Sequence, residues 1–122
     1  PTPTEPIPLL VGGHAEPALR RAVVHGDGWM HGGGTAEELD TLLDRLAEIR
    51  KAEGSAGPFE IHVISLDAYT PDGVKRLEDR GVTDVIVGFR LPYIVGPDTE
   101  PLERKIEHLN RYAESVIAKV NG

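Results

Sequence analysis

Short apolar runs alternate along the chain with longer segments in which apolar residues recur every three to four positions. The apolar runs cover 7–11, 28–30, 59–66 and 83–89, and their lengths are typical of β-strands. Each is followed by a segment with the spacing of an amphipathic helix, which buries one face. The pattern predicts four consecutive strand–helix units.

The predicted helices have recognisable beginnings and ends. The first covers 15–25 and stops before Gly26, whereas the second opens with a capping box whose first residue is Thr35. The third begins at Pro71, where the missing N–H costs little, and ends at Gly81. The last carries a single apolar stripe, which consists of Leu102, Ile106, Leu109, Ala113, Val116, Ile117 and Val120.

Strand and helix in strict alternation indicate an α/β fold whose parallel sheet is joined by right-handed crossovers. The run 83–89 is almost wholly apolar, which favours a strand covered on both faces. Three topologies remain open: an open sheet with helices on both faces, half of a (β/α)₈ barrel, and a set of units that needs a partner. At 122 residues we expect a single domain, 1–122, with an extended proline-rich lead-in at 1–6.

Composition and charge exclude several classes of function. A net charge of -7 and a pI near 5.1, with scattered basic residues, argue against nucleic-acid binding. No apolar run approaches the roughly 20 residues that cross a bilayer, so we expect no membrane association. The chain has no cysteine, which removes disulfide and thiolate chemistry and fits a cytoplasmic location.

The glycine pair Gly12-Gly13 is the strongest candidate for chemistry. An apolar strand ends there just where a helix can begin, so free backbone N–H groups and the positive end of the helix dipole meet without a Cβ in the way. This arrangement predicts an anion pocket, with a phosphate as its guest. The alternative is that the two glycines only make a short connection.

Other polar residues give weaker indications. His62 is expected on the face of the third strand opposite Ile61 and Val63, where it is either a structural histidine or a proton-transfer residue. No set of His, Asp and Glu residues has convincing metal-ligand spacing, and no serine is paired with a base. We therefore predict no metal, and the catalytic residues stay unknown.

Three segments, IPLLVGGHAEPALRRAVVHGDGWM, TAEELDTLLDRLAEIR and GVTDVIVGFRLPY, resemble the luciferase-like monooxygenase family, in particular its deazaflavin-dependent branch. The resemblance implies a TIM barrel and an oxidoreductase that uses FMN or an 8-hydroxy-5-deazaflavin coenzyme. It covers nearly all of this chain but only the C-terminal half of the family's fold, which has roughly 250 to 400 residues.

By this resemblance, Gly12, Gly13, His14 and Ala15 match the segment whose backbone amides hold the cofactor phosphate. Members more often carry a polar pair such as Asn-Ser after the glycines, so His14 is the substitute donor.

The resemblance also marks two residues further along the chain. Asp27-Gly28-Trp29 matches a segment near the cofactor end of the barrel, where Trp29 and the glycines after it border a planar ring or, alternatively, Trp29 anchors the core. Arg90 follows the fourth strand, where barrel enzymes collect phosphate contacts; the alternative is a solvated arginine.

The resemblance implies the cofactor-phosphate-binding half of a luciferase-like oxidoreductase or monooxygenase that oxidises or reduces a small organic substrate. Its expected partners are a flavin-type cofactor and either a missing N-terminal half-barrel or further copies of itself, in a homo-oligomer. The alternative is a non-catalytic half-barrel that self-associates and retains at most a residual phosphate pocket. The sequence leaves open the substrate, the choice of cofactor, activity in isolation, and whether the chain is a short protein or a fragment.

Overall fold

The computed structural model describes residues 1–90 and 94–121 and has an α/β fold with one parallel sheet. The strands are β1 (Leu10–Gly12), β2 (Gly28–Met30), β3 (Glu60–Val63) and β4 (Asp84–Val85). The helices are α1 (Glu16–His25), α2 (Ala36–Ala52), α3 (Pro71–Asp79), α4 (Leu102–Tyr112) and α5 (Ala118–Val120), with a 3₁₀ helix at Leu66–Tyr69 and a π-helical segment at Ala113–Ile117. Within the described ranges, every helix is too short or too polar to cross a bilayer.

The four strand–helix units predicted from the sequence are confirmed. The strands lie side by side in the order β1-β2-β3-β4, and every neighbouring pair is parallel. Val11 lies opposite Trp29, Trp29 lies opposite Ile61, and Val63 lies opposite Val85. Since parallel crossovers are right-handed, this sequential order places the connecting helices on one face of the sheet.

The hydrophobic core lies between that face and helices α1, α2 and α3. Its buried members are Leu19, Ala22, Val23, Trp29, Leu39, Leu43, Leu46, Ile49, Ile61, Val63, Leu77 and Val82, with Val11 and Val85 packed against them. Helices α1 to α3 therefore share one layer, which excludes a doubly wound sheet from the three topologies left open by the sequence.

The second face of the sheet is not covered by α1, α2 or α3, and we call it the uncovered face. Alternation along the strands places Met30, Glu60, His62 and Asp84 on it. Met30 is 38% exposed there, so the described chain leaves an apolar side chain in contact with solvent. This face is polar along β3 and β4 and apolar near β2.

Three strands are shorter than their apolar runs predict, and the first of them, β1, begins only at Leu10. The fourth run was expected to be a strand covered on both faces, but β4 has two residues and Ile86 is 36% exposed. The reason is that β4 lies at the edge of the sheet, with a strand on one side and helices on one face. The third run ends early because the Ser65 hydroxyl accepts a hydrogen bond from Asp67 N–H and opens the 3₁₀ helix.

The last helix buries much less of its apolar stripe than its pattern predicts. Only Val116 of the stripe is buried, whereas Leu102 and Leu109 are 66% and 58% exposed. Its π-helical turn at Ala113–Ile117 inserts an extra residue, which rotates the stripe along the helix. The Tyr112 hydroxyl donates to the Ala68 carbonyl at 2.6 Å and ties the helix to the segment before α3.

Candidate functional site

The turn after β1 is shaped by the difference between its two glycines. Gly13 has a φ of 119°, and a Cβ there would lie 2.8 Å from the Cβ of Ala18. At Gly12, by contrast, an added Cβ would meet nothing closer than the Met30 carbonyl oxygen at 3.8 Å. The backbone conformation therefore requires glycine at position 13 but not at position 12. The Gly13 carbonyl accepts a hydrogen bond from the indole Nε1–H of Trp29 at 2.8 Å, which holds the turn in place.

Helix α1 begins directly after this turn without a side-chain cap. Ala15 is the N-cap residue and can offer no side-chain acceptor. Among the described residues, no acceptor is found for the backbone N–H groups of Gly13, His14 or Ala15. These exposed donors lie at the positive end of the helix dipole. The four residues predicted as the phosphate site form one contiguous turn that leads into a helix N-terminus, a position at which anions bind in other proteins.

A carboxylate lies in the first turn of α1, where it would compete with an anion. Glu16 is nevertheless paired from outside the turn, since Arg45 of α2 donates to both of its oxygens, with Nε 2.9 Å from Oε2. Arg20 adds a contact at 3.3 Å. Hydrogen bonds from the Arg45 guanidinium hold the pKa of Glu16 below its usual value. Arg45 and Arg20 thus compensate the negative charge of Glu16, which lies next to the glycine turn.

His14 connects the glycine turn with the turn after β2. Its Nε2 accepts a hydrogen bond from Gly32 N–H at 2.9 Å, so the neutral ring carries its proton on Nδ1. The ring stacks on His31 with a centroid distance of 4.9 Å and an angle of 11° between the planes. Nδ1–H is therefore the hydrogen-bond donor that the neutral ring of His14 can offer to a bound anion.

His31 is the buried member of this pair. Its side chain is 1% exposed, its Nδ1 accepts from Ile64 N–H at 3.3 Å, and its Nε2 has no partner among the described residues. Burial, with a smaller contribution from His14, lowers the pKa of His31 and favours the neutral ring. His31 lies in the segment from Trp29 to the glycines that the resemblance relates to a planar ring, although it was not itself predicted as a site residue. The sequence does contain an indication, because His31 follows β2 directly and the ends of parallel strands meet at one edge of the sheet.

Trp29 lies in the hydrophobic core, and Asp27 lies at the amino end of β2. Trp29 is fully buried in the core and faces the helices, so packing describes its role in the structure, and its indole N–H supports the Gly13 turn. Asp27 lies at the amino end of β2, where its carboxylate accepts from Leu9 N–H at 2.8 Å. Asp27 therefore lies at the opposite end of the strands from the glycine turn.

A cavity of about 690 Å³ lies at the carboxyl ends of β3 and β4. Its walls include the glycines that follow β2 and several apolar and aromatic side chains, namely Gly33, Gly34, Ile64, Tyr69, Phe89 and His108. Phe89 and His108 stack with centroids 5.7 Å apart, and the Tyr69 hydroxyl donates to the Gly88 carbonyl at 2.6 Å. The size and lining are those of a small-molecule pocket.

Arg90 borders this cavity and is separated from the glycine turn. It is exposed, and its Nη2 donates to the Gly96 carbonyl at 2.9 Å. Strands β1 and β4 are three strand spacings apart, about 14 Å. The structure therefore brings Gly12, Gly13, His14 and Ala15 together and places Arg90 at the other side of the same edge.

A second polar group lies on the uncovered face. His62 Nε2 is 3.1 Å from Asp84 Oδ2 and 3.4 Å from Glu60 Oε1. The predicted placement of His62 opposite Ile61 and Val63 is confirmed. The sequence does not reveal this group because Asp84 is distant along the chain, and only the pairing of β3 with β4 sets it opposite His62.

Relatives of the chain occur in mycobacteria. It is 67% identical over 120 residues to an uncharacterized protein of Mycobacterium bovis and equally to uncharacterized proteins of two Mycobacterium tuberculosis strains. The alignment covers 98% of this chain and 41% of each relative, so the chain spans less than half of their length. No family model matches the chain, and no solved structure gives a significant match.

Proposed function

We propose that this chain is the cofactor-phosphate-binding half of a luciferase-like oxidoreductase that acts on a small organic substrate with a flavin or deazaflavin. One observation carries the proposal: the Gly12-Gly13 turn opens helix α1 with unpaired backbone donors at the carboxyl edge of a parallel sheet. In barrel enzymes that edge holds the active site, and phosphates bind at helix N-termini there. A cytoplasmic location is part of the proposal.

The arrangement of the helices supports a half-barrel. Four parallel strands in sequential order, with α1 to α3 on one face, are what half of a (β/α)₈ barrel requires. In such a barrel the uncovered face would turn inward and meet four further strands. The relatives' greater length is compatible with those strands being part of a longer chain.

An elongated cofactor fits the layout of the edge. The amides of the glycine turn and the Nδ1–H of His14 would bind the phosphate, and the cavity bordered by Phe89, His108 and Arg90 would receive a planar ring. Either cofactor would supply hydride transfer when bound, and a reduced flavin would also supply oxygen activation. This chain's part is to bind the phosphate, orient the cofactor and wall off one side of the ring.

Comparison of FMN with riboflavin tests the phosphate site. Charge-assisted hydrogen bonds to the phosphate predict that FMN binds about tenfold or more tightly than riboflavin, measured by fluorescence titration. Gly12→Val, at a position where an added Cβ meets nothing closer than 3.8 Å, should abolish this preference because its side chain crowds the amides, whereas His25→Ala at the far end of α1 should leave it intact. Reduced and oxidised deazaflavin are titrated in parallel.

Two results would overturn the proposal. Equal affinities for FMN and riboflavin would show that the phosphate is not recognised. Failure of the chain to bind either flavin or the deazaflavin would favour the second candidate, a non-catalytic half-barrel that self-associates. The observation behind that candidate is the uncovered face with its exposed Met30.

A further inference from the structure

We propose that Glu60, His62 and Asp84 form a binding site for a first-row divalent cation such as Zn²⁺ on the uncovered face. The three side chains offer one imidazole nitrogen and two carboxylate oxygens, and these atoms all lie within 4.8 Å of one another. Imidazole nitrogen and carboxylate oxygen together suit Zn²⁺ and its neighbours in the first transition row. The site is separate from the proposed cofactor pocket.

The distances agree with shared coordination. Metal–ligand bonds of about 2.0–2.1 Å in a tetrahedron set neighbouring ligand atoms roughly 3.3 Å apart. The two measured separations from His62 Nε2 are 3.1 Å to Asp84 and 3.4 Å to Glu60. The backbone holds this spacing, because Glu60 and His62 are alternate residues of β3 and His62 lies opposite Asp84 in the parallel register.

Proton counting also favours a cation. A neutral imidazole carries one proton at most on Nε2, so His62 can donate to only one of the two carboxylates. Two carboxylates carry two negative charges, which a divalent cation balances while contacting all three side chains. Asp84 Oδ2 also accepts from the Thr83 hydroxyl at 2.7 Å, a contact that orients the carboxylate as outer partners of metal ligands do.

The site would keep one coordination position for water or a ligand. Three protein ligands leave the fourth position of a tetrahedron open, as in catalytic rather than structural zinc sites. The side chains of Glu60 and Asp84 are 42% and 49% exposed, so that position is accessible from the uncovered face.

Zinc titration of the metal-free chain tests the inference. Isothermal calorimetry should find one Zn²⁺ per chain at the site, and Co²⁺ should show the visible absorption of a tetrahedral complex. His62→Ala, Asp84→Asn and Glu60→Gln should each weaken Zn²⁺ binding about tenfold or more. The control His25→Ala removes a histidine on α1, outside the site, and should leave the affinity unchanged.

The competing explanation is an ion-paired histidine that needs no metal. It predicts no measurable Zn²⁺ binding, or binding that His62→Ala and Asp84→Asn leave unaltered, and either result would overturn the site. Circular dichroism checks that each variant is folded, and the nearly isosteric Asp84→Asn and Glu60→Gln decide the matter if His62→Ala unfolds the chain. Since no flavin is involved, the outcome is independent of the proposed function.

Discussion

At the residue scale, the adjacent glycines Gly12 and Gly13 have different structural roles, which the sequence does not distinguish. Gly13 adopts a backbone conformation that favours glycine, lies close to Ala18 and accepts the Trp29 indole, whereas Gly12 has space for a side chain. The residue that shapes the turn is therefore Gly13. Gly12 instead borders the space where a phosphate would bind.

Alanine substitutions test the structural roles of Gly12 and Gly13 separately. Gly13→Ala should lower the free energy of unfolding by roughly 1–3 kcal/mol, because it forces a strained φ and a contact with Ala18. Gly12→Ala should change it by less than about 1 kcal/mol, since the site can accept a Cβ. Urea unfolding followed by Trp29 fluorescence measures both values. Equal losses in the two variants would contradict the structure's account of the turn.

At the element scale, the helices were predicted better than the strands. Helix α2 begins at the predicted capping box: the Thr35 hydroxyl accepts from Glu38 N–H at 3.1 Å, and the Glu38 carboxylate accepts from Thr35 N–H at 3.4 Å. Helix signals of this kind are local, so they are readable in the sequence. Strand ends depend on neighbouring strands, which is why the fourth strand was predicted to be longer than β4.

Removal of the cap tests the contribution of this helix end. Thr35→Ala should lower the free energy of unfolding by about 1 kcal/mol, because Glu38 N–H loses its acceptor. Thr35→Ser keeps a hydroxyl and should remain close to the parent chain. Thermal unfolding followed by circular dichroism compares the three proteins, and an undiminished stability in Thr35→Ala would mean that the capping box contributes little.

At the scale of the whole molecule, the main feature is a sheet with helices on one face. The uncovered face has an apolar side chain in solvent at Met30, which is 38% exposed. Exposed apolar surface of this kind and free strand edges favour association with another protein surface. In isolation, a second copy of the chain is the available partner.

We expect the chain to self-associate through this face. Light scattering after size-exclusion chromatography should give a mass above 13.2 kDa that rises with protein concentration. Met30→Lys should shift the population toward monomer, because its charge lies on the uncovered face. Val95→Lys, at a side chain 99% exposed outside the strands, is the control. A concentration-independent monomer in the parent chain would refute this expectation.

The sequence by itself determined the local features: four strand–helix units, the capping box of α2, the side of β3 to which His62 belongs, and the glycine turn before α1. These depend on residue spacing and on hydrogen bonds between near neighbours. Among the residues of the candidate site, Gly12 to Ala15 were named from the sequence, whereas the burial of His31 and the contact of His62 with Asp84 were not predicted. Tertiary structure alone decided which face the helices cover and which strand ends become neighbours, because both depend on pairing between segments distant in sequence.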